Sequence, residues 1–262
     1  MLGTKAVDEP GRLEGWQVES EKIIQWSRRA LQGLLDLLYP PRCAACGLGG
    51  VVLCSVCRQG IKPLPTPYCR HCGNVLKVEG VCRSCQYAPL RLSGLRAYSG
   101  YQQPLRTCIH RFKYGGNARL SQPLGQFLAQ AHRVYGLRSD VIVPVPLHSE
   151  RQRQRGYNQA HLLAESCSRE LQIPLQTLLT RIRNTPAQTR LAADERRQNV
   201  AGAFRCSAGD GPEAITGRRI LLIDDVCTTG ATLEACAAPL FAAGARTVWG
   251  LVLARPLAHG SV

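Results

Sequence analysis

The stretch from Arg219 to Thr232, R-I-L-L-I-D-D-V-C-T-T-G-A-T, limits the fold of this chain more than any other. Ile220 to Ile223 form a short unbroken apolar run without helical period, the pattern of a strand buried on both faces of a parallel sheet. Two carboxylates end it. Neither Asp224 nor Asp225 belongs in a core unpaired, so both are expected at the carboxyl end of the strand, where open α/β sheets place their ligands. Thr228-Thr229-Gly230-Ala231-Thr232 follows, just before a helical pattern over 231–243. Backbone N–H groups and the dipole at a helix start suit a phosphate, and threonine hydroxyls add donors. A strand, an Asp cap and a helix account for part of this pattern. The combination of buried strand, acidic pair and Thr-Thr-Gly-x-Thr is sharper. It suits a ligand with hydroxyls or Mg2+ beside its phosphate, and a ribose phosphate fits.

A second constraint is the cysteines. Of 13 in the chain, eight form four C-x-x-C pairs: Cys43/Cys46, Cys54/Cys57, Cys69/Cys72 and Cys82/Cys85. Gly47 and Gly73 follow the second cysteine of the first and third pairs, which lets backbone N–H groups turn toward thiolate. Two structural Zn2+ sites, each closed by four thiolates, are the expected solution. Sequential ligation (Cys43, Cys46, Cys54, Cys57 and Cys69, Cys72, Cys82, Cys85) needs only local chain reversal. A crossed arrangement, with the first pair joined to the third, stays open. This module holds few apolar residues, so metal should supply most of its folding energy.

Within 262 residues the organisation reads as a polar head and amphipathic helix over 1–38, the cysteine module over 39–90 and a larger domain over 91–262. The helix of the head is expected over Glu19–Leu38, stopped by Pro40 and Pro41. The first fifteen residues are charged and lack an apolar run, and no transmembrane stretch is visible, so the expected address is cytoplasmic. A formal charge of +15 suits phosphates or a polyanion.

Strands are expected over Gly94–Tyr101, from Asp140 to near Val143, and over Thr247–Ala254. Helices are expected over Pro104–Phe112, Leu120–Tyr135 and Gln159–Leu171, and Pro239 should kink or break the helix that begins at Ala231. Lys113, just before two glycines, is a candidate phosphate contact. Arg151 and Arg155, in a basic loop before Gly156, are preferred over Arg153 as a pyrophosphate clamp, because fixed guanidinium donors match phosphate oxygens. Gln188, Arg196 and Asn199 are candidates in a polar stretch suited to covering the site. No Walker A, G-x-G-x-x-G or H-E-x-x-H pattern occurs, and no H-x-E is paired with the P-C-x-x-C of a deaminase.

In order, Y-P-P-R-C-A-A-C-G, the later cysteine pairs, F-K-Y-G-G, V-P-V-P-L-H-x-x-R-x-x-x-R-G-Y-N-Q-A, T-P-A-Q-T-R-L and I-D-D-V-C-T-T-G-A-T resemble the ComF/GntX family from about residue 35 to 255. The I-D-D-V-C-T-T-G-A-T stretch alone resembles the 5-phosphoribosyl-1-pyrophosphate (PRPP) signature of type I phosphoribosyltransferases. The resemblance implies an amino-terminal double zinc ribbon fused to an α/β, type I phosphoribosyltransferase-like domain, a Rossmann-like parallel sheet flanked by helices. It implies PRPP with Mg2+ as ligand, Asp224 and Asp225 on the ribose hydroxyls, and Cys227, Thr228, Thr229, Gly230, Ala231 and Thr232 around the 5'-phosphate. A role in DNA uptake and natural transformation is implied as well, with single-stranded DNA or DNA-uptake proteins as candidate partners. The acceptor of any phosphoribosyl transfer is not readable. A non-catalytic PRPP-sensing or DNA-binding or partner-binding competence protein is the alternative.

Overall fold

A computed structural model describes residues 40–183, 199–207 and 212–257. The helix expected over Glu19–Leu38, together with Gln188 and Arg196, lies outside the described residues. The chain divides into two compact units, residues 1–43 with 47–52 and residues 44–46 with 53–262.

The second unit is built on a four-stranded parallel sheet in the order β1-β6-β5-β2, formed by β1 (Gly94–Gly100), β6 (Thr247–Arg255), β5 (Arg219–Val226) and β2 (Val141–Pro144). β5 is central, as its apolar run requires: Ile220 to Ile223 are all buried. Alternate residues face opposite ways. Ile220 and Leu222 join the core that includes α7 (Ala231–Ala242), while α6 (Gln159–Leu171) packs on β2 and β5 and α4 (Ser121–Val134) on β6 and β1.

Asp140 fixes the start of the β2–β5 pair. Its carboxylate accepts from Arg219 N at 2.8 Å and from Arg219 Nε at 3.1 Å, and these bonds hold the carboxyl down to about 2. Among the described residues, the helices and strands expected from Gly94 onward form within a residue or two at each end. Two details differ. β5 does not stop at the acidic pair but continues to Val226, because β6 runs to Arg255 and keeps the ladder paired through Val226 and Ala254. Helix α7 passes through Pro239 and ends three residues later at Ala242. Before it, a short antiparallel pair, β3 (Leu179–Arg181) and β4 (Phe204–Cys206), packs near α7.

Helices α4 and α6 touch closely because Gly125 has no side chain: a Cβ there would lie 2.4 Å from Ser166 Cβ and 3.1 Å from Leu163 O. Helix propensity alone favours alanine at this position by about 1 kcal/mol. Overpacking costs about 1–3 kcal/mol and wins. Gly125→Ala should therefore lower the urea midpoint; an unchanged or raised midpoint would show that the two helices have room to part.

Candidate functional site

The cysteine groups are sequential. The sulfurs of Cys43, Cys46, Cys54 and Cys57 all lie within 4.8 Å of one another, as do those of Cys69, Cys72, Cys82 and Cys85. The crossed arrangement is not the one formed. Cys46 and Cys54 Sγ are 3.7 Å apart, and Cys72 and Cys82 Sγ are 3.6 Å apart. A Zn–S bond of about 2.3 Å gives a tetrahedral S···S edge of about 3.8 Å, so both groups fit zinc. Backbone amides turn toward the sulfurs, Cys82 N to Cys69 Sγ at 3.3 Å and Cys57 N to Cys54 Sγ at 3.5 Å. Burial raises the Cys69 thiol, but amide donors of Cys82, Cys72 and His71 outweigh it and bring it down to about 6, which favours the thiolate a metal needs.

The second cysteine group is joined to the edge of the sheet. Leu95 N in β1 donates to His71 O at 2.8 Å, and the buried Arg96 donates to Arg70 O at 3.1 Å. The Arg96 guanidinium lies over Tyr68 at 4.9 Å and Trp249 at 5.1 Å. Arg255, at the end of β6, donates to Cys72 O. Gly73 permits this approach: it has φ +69°, and a Cβ would lie 2.6 Å from Leu95 O.

At the carboxyl end of β5, Asp225 is buried and Asp224 half-buried. Asp225 N donates to Asp224 Oδ1 at 2.9 Å. Val145 N donates to Ile223 O at 3.0 Å, so the V-P-V-P-L segment leaves the sheet beside the acidic pair. Burial and the neighbouring Asp225 charge push the Asp224 carboxyl up to about 7, against the opposing pull of Lys113. Lys113 Nζ is 2.9 Å from Asp225 Oδ1. It therefore meets the acidic pair directly rather than standing in a solvated loop.

The following turn ends in Gly230, left-handed at φ +88°, and α7 starts there without a side-chain cap. Neither aspartate caps this helix; Ala231 N donates to Thr229 Oγ1 at 3.4 Å. Asp224 and the residues from Thr228 to Thr232 line one small cavity. Such a helix start presents N–H groups and a positive dipole end to an anion. The Cys227 side chain packs into the core, where burial drives its thiol up to about 12, and its amide donates to Ala254 O at 3.0 Å, so this residue leads into the turn without offering the cavity a donor.

Arg151 and Arg155 do not lie in a loop. They sit on α5 (Ser149–Arg155), which His148 caps and Gly156 ends at φ +81°. The S-E-R-Q-R-Q-R run has good helix formers and a glycine stop, a signal that the attention to arginine spacing passed over. The Arg155 guanidinium lies over the Tyr114 ring at 5.1 Å. Asn199 is half-buried. One residue escaped the sequence reading: Arg181, in β3. Burial and the nearby Arg151 charge lower its pKa while Asp224 partly offsets them, so this cation stands within electrostatic reach of both the basic helix and the acidic pair. No motif spacing marks it; only the fold brings it there.

Comparison with known proteins agrees with this layout. Residues 34–86 match the double zinc ribbon domain family, and residues 157–259 match the phosphoribosyl transferase domain family. Competence protein F of Haemophilus influenzae is 37% identical over 211 residues, covering 77% of this chain and 90% of that protein. The chain belongs to the ComF family. Within ComF, competence protein ComFC of Bacillus subtilis is 32% identical over 199 residues, covering 73% and 79%. DNA utilization protein YhgH of Escherichia coli O157:H7 is 33% identical over 232 residues, covering 84% and 100%. Glutamine PRPP amidotransferase from B. subtilis aligns with 52% of this chain and 26% of its own, at 20% identity and a TM-score of 0.35. The two family matches give this ComF chain a phosphoribosyltransferase fold with an amino-terminal double zinc ribbon. Among the described residues no helix is long and apolar enough to cross a membrane.

Metal analysis of reduced protein should give two zinc ions per chain, and less than one would contradict the two closed sites. Gly73→Ala, forced into a left-handed conformation and against Leu95 O, should cost at least about 1–3 kcal/mol of stability in urea unfolding. Unaltered stability would mean that the ribbon does not depend on its close contact with β1.

Proposed function

We propose that the cavity at the end of β5 binds PRPP and that the domain transfers its phosphoribosyl group. The observation that carries this is the joining of Asp224 and an uncapped helix start around one small cavity, with Asp225 next to it in the strand. In this reading Asp224 and Asp225 accept from the ribose hydroxyls. The hydroxyls of Thr228, Thr229 and Thr232 and the amides from Thr228 through Gly230 and Ala231 surround the 5'-phosphate, with Cys227 leading into this turn. Arg151, Arg155 and Arg181 supply positive charge on the pyrophosphate side, beside Lys113. Mg2+ entering with the ligand would neutralise part of the pyrophosphate charge, beside the cations of Arg151, Arg155 and Arg181. The sugar develops positive character in the transfer, and positioning with electrostatics does most of the chemistry. No side chain here is assigned as a general base.

The same reading keeps the division at about residues 38 and 90 and a cytoplasmic site of action. The names of the relatives, competence protein and DNA utilization protein, support a role in the handling of incoming DNA, with single-stranded DNA or uptake proteins as partners. A charge of +15 favours a second reading, in which the PRPP fold senses its ligand or binds DNA without turnover.

Incubation with PRPP, Mg2+ and a panel of nucleobases, scored for pyrophosphate release, separates the two. Release that Asp225→Asn removes supports transfer. PRPP binding without release on any acceptor, together with a salt-dependent gel shift of single-stranded DNA, supports the sensor.

A pH dependence follows from Asp224. A carboxyl raised to about 7 is mostly protonated at pH 6 and mostly ionised at pH 8. The ionised form leaves Oδ2 to accept a ribose hydroxyl while Oδ1 keeps the Asp225 amide, so the affinity for ribose 5-phosphate should rise about tenfold from pH 6 to pH 8. The same shift opposes folding, since the native chain keeps a proton that the unfolded chain has released, and this contribution to stability falls as pH rises from about 4 to about 7. Calorimetry at the two pH values checks the binding, and an affinity that falls over this range would remove Asp224 from the ribose contacts.

A further inference from the structure

The F-K-Y-G-G and R-G-Y-N motifs lie far apart in sequence, and the fold makes one device of them. Phe112 is fully buried, and its carbonyl accepts the Tyr157 hydroxyl; their rings are 5.7 Å apart. The Tyr114 ring carries the Arg155 guanidinium at 5.1 Å. Both neighbours of Lys113 are therefore held from outside its own helix, α3 (Leu105–Tyr114). Gly115 ends that helix with its N–H on Arg111 O at 2.9 Å, so Lys113 stands in the last turn, where the dipole favours a cation. From this mount the ammonium reaches Asp225 Oδ1 at 2.9 Å, with the lysine side chain 22% and the aspartate side chain 8% exposed.

Two adjacent carboxylates in a half-buried place need a positive partner, either a divalent metal or a side chain. Here the partner is in contact already. One oxygen of each carboxylate is engaged: Asp224 Oδ1 by the Asp225 amide and Asp225 Oδ1 by the ammonium. This leaves the second oxygen of each carboxylate for a ribose hydroxyl. An octahedral Mg2+ needs oxygens at about 2.0–2.1 Å in near-ideal geometry, and an ammonium fixed on Asp225 competes for that position.

We propose that Lys113 is the resident cation of the Asp224–Asp225 pair, so that these carboxylates hold no divalent metal of their own and a metal enters only with a pyrophosphate-bearing ligand. Burial disfavours the ammonium, but Asp225 and then Asp224 outweigh it and hold its pKa above the usual lysine value, so the cation persists at neutral pH. Tyr157 and Arg155 act as positioning residues for it. The metal part stands without the ribose-phosphate reading; only the ligand part rests on that reading.

The test titrates Mn2+ into the zinc-loaded full chain and follows free Mn2+ by electron paramagnetic resonance. Wild type should show no site tighter than about 1 mM, Lys113→Met should gain one per chain with affinity about tenfold or more higher, and adding Asp225→Asn should remove it. A wild-type Mn2+ site that Asp225→Asn abolishes, or a folded Lys113→Met variant that gains none, overturns the proposal. If the methionine variant does not fold, the wild-type Mn2+ titration still decides. A second measurement uses ribose 5-phosphate by calorimetry with and without Mg2+. Equal affinity supports the proposal, and dependence on Mg2+ of about tenfold or more overturns it. No heat in either buffer counts against the ribose-phosphate reading alone and leaves the Mn2+ result standing.

Discussion

Two carboxylates placed at the end of a central parallel strand set the terms for the rest of this structure. Asp224 and Asp225 remain within the β5 ladder, one half-buried and one buried, while β6 continues its pairing alongside. Charges in that position need partners, and the fold supplies them from segments distant in sequence: Lys113 from the end of α3, in contact with Asp225, and Arg181 of β3, whose charge acts on Asp224. The helix start at Gly230 adds backbone dipoles to the same corner. The result is an acidic centre ringed by cations, a charge pattern suited to a polyhydroxyl ligand that carries phosphates.

The zinc ribbon is less separate from this corner than its composition suggests. β1 is the edge strand of the sheet, and an open edge exposes unpaired backbone groups. Every residue of β1 is nonetheless buried, because the ribbon's backbone takes up the edge: His71 O accepts from Leu95 N, and Leu64 N donates to Tyr98 O. Arg96 is stacked among aromatic rings, and Arg255 runs from the end of β6 to the carbonyl of a zinc-ligand cysteine. Because Cys227 N donates to Ala254 O, the strand that carries Arg255 also holds the first residue of the phosphate turn. The ribbon thereby acts as part of the sheet's structure as well as a module of its own.

Much of this was legible in the sequence. The unbroken apolar run named the central strand, the C-x-x-C spacing named two zinc sites, and helical periodicity located α4 and α6, because each of these is a local signal with a physical cause. The pairing of the cysteines, the helical state of Arg151 and Arg155 and the position of Arg181 were not legible in the same way. The first was open between two spacings that local geometry permits. The second was hidden by reading arginines for charge when their helix propensity and the Gly156 stop were also informative. The third depends on where β3 is laid, and no short-range pattern encodes that. Lys113 lies between these cases: its chemistry was visible beside two glycines, but its partner, 112 residues further along the chain, was not.

The account stands on the corner at the end of β5 being a ribose-phosphate site, and calorimetric titration with PRPP in the presence of Mg2+ tests that most directly. One site per chain is predicted, weakened about 10–100-fold in a folded Asp225→Asn variant, the loss expected when hydrogen bonds to a charged acceptor are removed. No binding by the zinc-loaded wild type, or binding that the variant leaves unchanged, would contradict it.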